Sequence, residues 1–205
     1  MAISPETGQR LGREAIITKL KGLGKIRVTG VEINAHIERL KTESDRGVMI
    51  LAATMVEDAL VIALERRTIG VANSELRKQI YEYDGPLGSF SKRILFAQAL
   101  AIIDKSYAQQ MHTIREIRNV AAHAHVQIDF SVEEIRHALG SMLRPEQADD
   151  FETWPRPNVR NFYLQLCGYT ADSLAGKLGS REGINGLYRA IKASDPSAFP
   201  SSFDK

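Results

Sequence analysis

Two short stretches hold the residues whose types and spacing could do chemistry. In Ile114-Arg115-Glu116-Ile117-Arg118-Asn119-Val120-Ala121-Ala122-His123, two arginines, an amide and an imidazole fall within one amphipathic segment. A guanidinium binds phosphate through paired N–H donors, an amide orients it, and an imidazole titrates near neutrality. Together, Arg118, Asn119 and His123 could cleave RNA by general acid–base chemistry on the 2′-hydroxyl. Asn119 and His123 are four apart and share a helix face, as do Arg115 and Asn119. Arg118 and His123 lie about 140° apart on an ideal helix, so their tips meet only if the arginine reaches round or a second subunit supplies one of them. The alternative is structural: such a cluster caps carbonyls at a helix end and pairs with acids. Glu57 and Asp58 are the candidate acids. They fall in the most apolar segment of the chain, where a carboxylate needs a partner such as Arg115, Arg118, Lys92 or Arg93.

The second stretch is Asp84-Gly85-Pro86-Leu87-Gly88-Ser89-Phe90-Ser91-Lys92-Arg93. Two glycines around a proline make a firm turn, and Ser89 is placed to N-cap the helix that follows. Asp84, Gly85, Pro86, Leu87, Lys92, Arg93 and the nearby Arg115 form the candidate partner-binding surface.

The elements that must position these residues are all helical. Thr29 and Glu32 make a capping box for a helix over 31–41. Residues 48–67 are apolar around almost the whole circumference, which marks a central helix packed on several sides, and Gly70 suits its C-cap. Shorter helices are expected over 74–82 and 90–103, the latter with Phe90, Ile94, Ala97 and Ala101 on one stripe. Asp104 precedes a helix over 105–123 whose core side is Met111, Ile114, Ile117 and Ala121. Ser131 and Glu134 form a second capping box. Trp154-Pro155-Arg156-Pro157-Asn158 reads as a helix-stopping linker, and 159–178 as a final amphipathic helix. From Ser194 onward the chain is turn-rich. With no alternating strand pattern, the expectation is an all-α, single helical-bundle domain over 31–150. A flexible, basic, glycine-rich arm over 1–30 precedes it and a helical extension over 151–205 follows.

Composition narrows the function. The chain has 205 residues, 43% hydrophobic and 25% charged, with a formal net charge of +2. That is an ordinary soluble composition with no global electrostatic case for nucleic acid or membrane. Only the arm, with six Lys or Arg and one acid between Arg10 and Arg27, suggests a polyanion contact. The single cysteine, Cys167, excludes an internal disulfide and a cysteine-rich zinc site. His123 and His125 point about 200° apart on a helix, so no metal site is expected. There is no phosphate-cradling glycine loop and no nucleophile elbow, and no cofactor is expected. The 48–64 run, broken by Thr54, Glu57 and Asp58, reads as too polar and slightly too short to span a bilayer. No signal peptide is read at the N-terminus, and a cytoplasmic location is expected.

Two resemblances follow from these motifs. The Asp84-Gly85-Pro86-Leu87-Gly88 turn, the helix containing Ala99-Leu100-Ala101-Ile102-Ile103, the Ile114-Arg115-Glu116 run and Phe130-Ser131-Val132-Glu133-Glu134-Ile135 resemble the mannitol operon repressor (MltR-like) family over roughly residues 46–143. That resemblance implies an all-helical transcriptional regulator that acts through a protein partner rather than by reading DNA. No helix–turn–helix with a basic recognition helix stands out here. Arg118, Asn119 and His123 also resemble the Arg-x4-6-His motif of HEPN-superfamily ribonucleases, with the polar residue directly after the arginine. That likeness implies a homodimer and RNA as a possible substrate.

Overall fold

The computed structural model describes residues 17–20, 32–68, 73–176 and 183–194. The described residues are helical with no strand, as expected. They form α1 (Ile33–Leu40), α2 (Asp45–Glu65), α3 (Ser74–Tyr81), α4 (Phe90–Ala99), α5 (Lys105–His123), α6 (Glu133–Gly140), α7 (Pro145–Glu152), α8 (Arg156–Leu174) and α9 (Gly183–Ser194). Residues 17–20 are also helical. The Thr29 cap, the Gly70 cap, the rest of the basic arm and the turn-rich stretch after Ser194 lie outside the described residues.

The central helix is α2. Val48, Met49, Ala52, Val56, Leu60 and Leu64 are fully buried, and α1, α4, α5 and α8 all pack against it. It starts three residues before the expected point because Ser44, in extended backbone, accepts a hydrogen bond from the Gly47 N–H and caps it. An 18-residue window of it has a mean hydropathy of 2.0, so by length and composition alone it is long and apolar enough to cross a bilayer, as core helices often are. Here its apolar sides are occupied by the other helices.

α8 runs beside α2 in the same direction, with three contacts in register. Asp45 meets Arg156 and Arg160, the Tyr163 hydroxyl donates to the Met49 carbonyl at 3.0 Å, and Arg66 donates to the Ala175 carbonyl. The C-terminal segment is thus helical as expected, and it lies in the core. Trp154 is 1% exposed; α7 stops at Glu152 just before this segment, as expected of a helix-stopping stretch, but the segment is no loose linker, since its prolines open α8. Pro155 sits at the N-cap and Pro157 in the first turn, where a missing N–H costs nothing. α7 carries too few apolar residues in sequence to announce itself, whereas α9 shows an amphipathic stripe, Ile184, Leu187, Tyr188 and Ile191, that the sequence reading passed over. They are held by tertiary contacts: Tyr188 of α9 stacks on Trp154 at 5.0 Å, and Asp150 of α7 accepts from Trp154 Nε1, the Tyr188 hydroxyl and Lys192 Nζ.

Two helix ends depart from the sequence reading. Ser131 does not cap α6. Its side chain is taken by Asp129, and Val132 occupies the N-cap without a side-chain bond. α4 ends at Ala99 instead of Ile103. Ala101 adopts φ 52°, its N–H bonds to Gln98 O and the Ile102 N–H to Ala97 O, closing the helix with a left-handed cap usually made by glycine. The stop sends Ile103 into the core, where it is 7% exposed, and leaves Asp104 to cap α5 through the Tyr107 N–H.

Asp45 is the most enclosed carboxylate of the fold, 7% exposed. It accepts from Arg156 Nε at 2.8 Å, Arg160 Nη1 at 2.7 Å and the Phe130 N–H at 3.2 Å. Burial pushes its carboxyl up, but the hydrogen bonds from Arg156, Arg160 and Phe130 outweigh that and hold it below the ordinary value. A depressed carboxylate contributes stability above its unfolded value of 3.8, and that stability is lost as pH falls through the folded value. Asp45→Asn should therefore cost about 1–3 kcal/mol at neutral pH, chiefly because it removes the charged acceptor of the enclosed Arg160 guanidinium. In denaturant titrations the variant should also show a shallower loss of stability below the carboxylate range. Ala101→Gly should stabilise the protein by about 0.5–1 kcal/mol, the left-handed penalty less the entropy of glycine, measured by the same titration.

Candidate functional site

The turn and the arginine-rich helix meet at Glu57. This side chain sits at the edge of the core, 16% exposed, on the side of α2 that faces α4 and α5. Arg93 Nη1 donates to Glu57 Oε1 at 2.5 Å, and Arg118 Nη2 lies 3.8 Å from Oε2. One carboxylate therefore joins three helices. Arg118 Nη1 also donates to Asn119 Oδ1 at 3.1 Å, extending the cluster along α5. The sequence proposed either acid as the partner. The ion pairs to Arg93 and Arg118 form at Glu57, with Asp58 half-buried beside it.

Arg93 also builds the turn. Its Nε donates to the Leu87 carbonyl at 2.7 Å and its Nη2 to the Tyr81 carbonyl at 3.2 Å. With the guanidinium directed inward, Arg93 is a structural pin, and among the cations expected on the contact surface Lys92 is the exposed one. Inside the turn, the Gly85 N–H reaches Glu82 O, the Leu87 N–H reaches Ile80 O and the Gly88 N–H reaches Gly85 O. A Cβ on Gly85 would collide with the Gln79 and Ile80 carbonyls, and one on Gly88 with those of Glu82 and Tyr83. Both glycines are required by close backbone approach.

Outside this pinned turn lies an apolar groove of about 570 Å³, lined by Ile80, Pro86, Leu87, Lys92, Leu95, Phe96 and Ala99, with Thr68 at one end. Leu95 is 67% exposed and Phe96 37%. Sequence reasoning named the turn but missed this face. The signal was available: the α4 stripe Phe90, Ile94, Ala97 accounts for one side only, leaving Leu95, Phe96 and Leu100 on the other.

The remaining candidates are placed apart. Arg115 turns to its neighbour Glu116 rather than to Glu57 or the groove. His123 is the exposed last residue of α5, and no described residue hydrogen-bonds its ring. Arg118 does not reach round to His123: its guanidinium turns to Asn119 and Glu57. The end of α5 is nevertheless fixed, because Arg46 Nη2 donates to the Ala124 carbonyl at 2.9 Å and the Val126 carbonyl at 2.7 Å. Arg46 was not foreseen, since an arginine that holds carbonyls across 78 residues of chain has no local pattern. No cluster of His, Cys, Asp and Glu able to hold a metal occurs among the described residues. Cys167 is buried, and burial raises its thiol well above the ordinary range.

Comparison with family models, curated proteins and solved structures returns no match. The residues themselves carry the functional argument.

Arg93→Ala should destabilise the domain by about 2–4 kcal/mol, since it leaves Glu57 without its closest partner and two turn carbonyls without donors. Amide hydrogen exchange should quicken over 82–88 by more than in the rest of the protein. Exchange unchanged in that turn would remove the pinning role.

Proposed function

We propose that this domain is a regulator of transcription that works through protein–protein contact, in the manner that its resemblance to mannitol operon repressors implies. The supporting observation is the exposed apolar face of α4 beside a turn held rigid from beneath by Arg93. Contiguous exposed apolar surface on a soluble domain marks an interaction site, and a preorganised backbone lowers the entropy lost on docking. Lys92 at the edge supplies a charge that selects orientation. The reading includes a cytoplasmic location and a homodimer.

A second reading has its own support. The Arg118–Asn119 hydrogen bond beside Glu57 presents a guanidinium held in place, on the same helix as the exposed His123 imidazole. In this reading a HEPN-type, metal-independent ribonuclease uses Arg118 to bind phosphate, Asn119 to orient it and His123 to move the proton. The outward position of His123 demands a second subunit to complete the site.

One experiment separates them. In the native host, transcript profiles are compared for a deletion strain and for strains carrying Leu95→Glu with Phe96→Glu, or His123→Ala, each variant shown to be folded by circular dichroism. The regulator reading expects the groove variant to reproduce the transcriptional changes of the deletion and His123→Ala to match the wild type. The ribonuclease reading expects His123→Ala to reproduce the deletion and to abolish RNA cleavage by the purified protein. A groove variant indistinguishable from wild type would overturn the regulator reading.

A further inference from the structure

A second concavity lies away from the turn, where the end of α2, the α4–α5 connection and the end of α8 come together. Its volume is about 600 Å³, within the range of small-molecule sites. The floor is apolar: Ala63, Ile102, Ile103 and Leu174. At the rim stand Arg66 and Arg67, both exposed. Arg66 spends one N–H on the Ala175 carbonyl at 3.2 Å, and the guanidinium of Arg67 donates to no described residue.

Among the other polar groups in the lining, the Ser173 hydroxyl is buried without a hydrogen-bond partner among the described residues, whereas Asp104 and Tyr107 are engaged within the fold. Asp104 accepts from the Tyr107 N–H as the cap of α5, and the Tyr107 hydroxyl donates to the Thr170 carbonyl at 3.2 Å. Burial pushes the Tyr107 phenol up to about 12, so it stays a neutral donor at ordinary pH. What the cavity offers a ligand is therefore an apolar floor, the unpartnered Ser173 hydroxyl and guanidinium charge at one edge. The wall formed by residues 101–104 includes Ala101 in its left-handed conformation, a shape set by the closed end of α4 and not by a flexible loop.

We propose that this cavity binds a small organic anion with an apolar body, its carboxylate held by Arg67 with help from Arg66 and its body resting on Ile102, Ile103 and Leu174. A guanidinium takes a carboxylate in two parallel N–H···O bonds, and the apolar floor rejects anions that lack a hydrophobic part. This site is separate from the α4 groove and stands independently of the function proposed above.

The test is a titration of the full-length, isotope-labelled protein followed by two-dimensional NMR, with 4-phenylbutyrate as the probe. The neutral 4-phenylbutanol and the small anion acetate serve as comparisons. The expected result is saturable movement of the Ala63, Ile102, Ile103 and Leu174 amides with 4-phenylbutyrate. Binding should be about tenfold weaker for the alcohol and for the Arg67→Gln protein, the worth of one charge-assisted contact. Lys92→Gln, at the groove, should leave the affinity unchanged. Equal binding of acid and alcohol, movement centred on Leu95 and Phe96, or no saturable movement would each overturn the proposal. Because Arg67 is exposed and its guanidinium donates to no described residue, its substitution tests binding with little effect on folding.

Discussion

A helix apolar around nearly its whole circumference cannot rest on a surface, and the fold follows from enclosing α2. Four helices are needed to cover it, and each covering helix must arrive at a set height. Polar contacts supply the heights. Asp45 ties the start of α2 to the start of α8, and Arg160 extends that tie to the Leu40, Lys41 and Glu43 carbonyls at the end of α1. Glu57 ties its middle to α4 and α5, and Arg66 ties its end to the end of α8. Hydrophobic burial drives the enclosure but has no direction; the charged pairs convert it into one register.

The same division of labour shapes the candidate surfaces. Arg93 could have been a surface cation available to a partner. By turning inward to Glu57, Leu87 and Tyr81 it gives up that availability and makes the turn rigid, so that Pro86, Leu87, Leu95 and Phe96 present a prepared apolar face. Arg46 does the same for the end of α5, fixing the backbone that carries His123. In both places an arginine serves through its planar, multiple donors, a role that lysine with its point charge would not fill. The distal cavity differs in kind: there the guanidinium of Arg67 is not consumed by the fold.

Much of the architecture could be read from residue patterns. The all-α class, the central place of the 48–67 segment, the Asp84–Gly88 turn with its Ser89 cap, and the Asp104 start of α5 all rest on local rules. So does the core stripe Met111, Ile114, Ile117 and Ala121. Local rules failed where two of them competed or where the decisive contact was distant. Ser131 looked like a cap and was taken by Asp129. Residues 99–103 kept a helical stripe, yet the chain turned at Ala101 and Ile103 entered the core. Trp154 and its flanking prolines looked like a linker, since nothing nearby in sequence shows that Phe151, Phe162 and Tyr188 will surround the indole.

Residue patterns were enough for the all-α class, most of the helices, the identity of the buried helix and the residue types able to do chemistry, because these depend on periodicity, capping and side-chain functional groups within a few turns. The tertiary structure alone decided which acid meets which arginine. It chose Glu57 as the bridge between Arg93 and Arg118, drew Arg93 inward, left Lys92 and Leu95 outside, kept His123 apart from Arg118 and left the cavity beneath Arg67. Those outcomes depend on the relative height and rotation of helices dozens of residues apart, set by the packing of whole faces, and no local pattern encodes them.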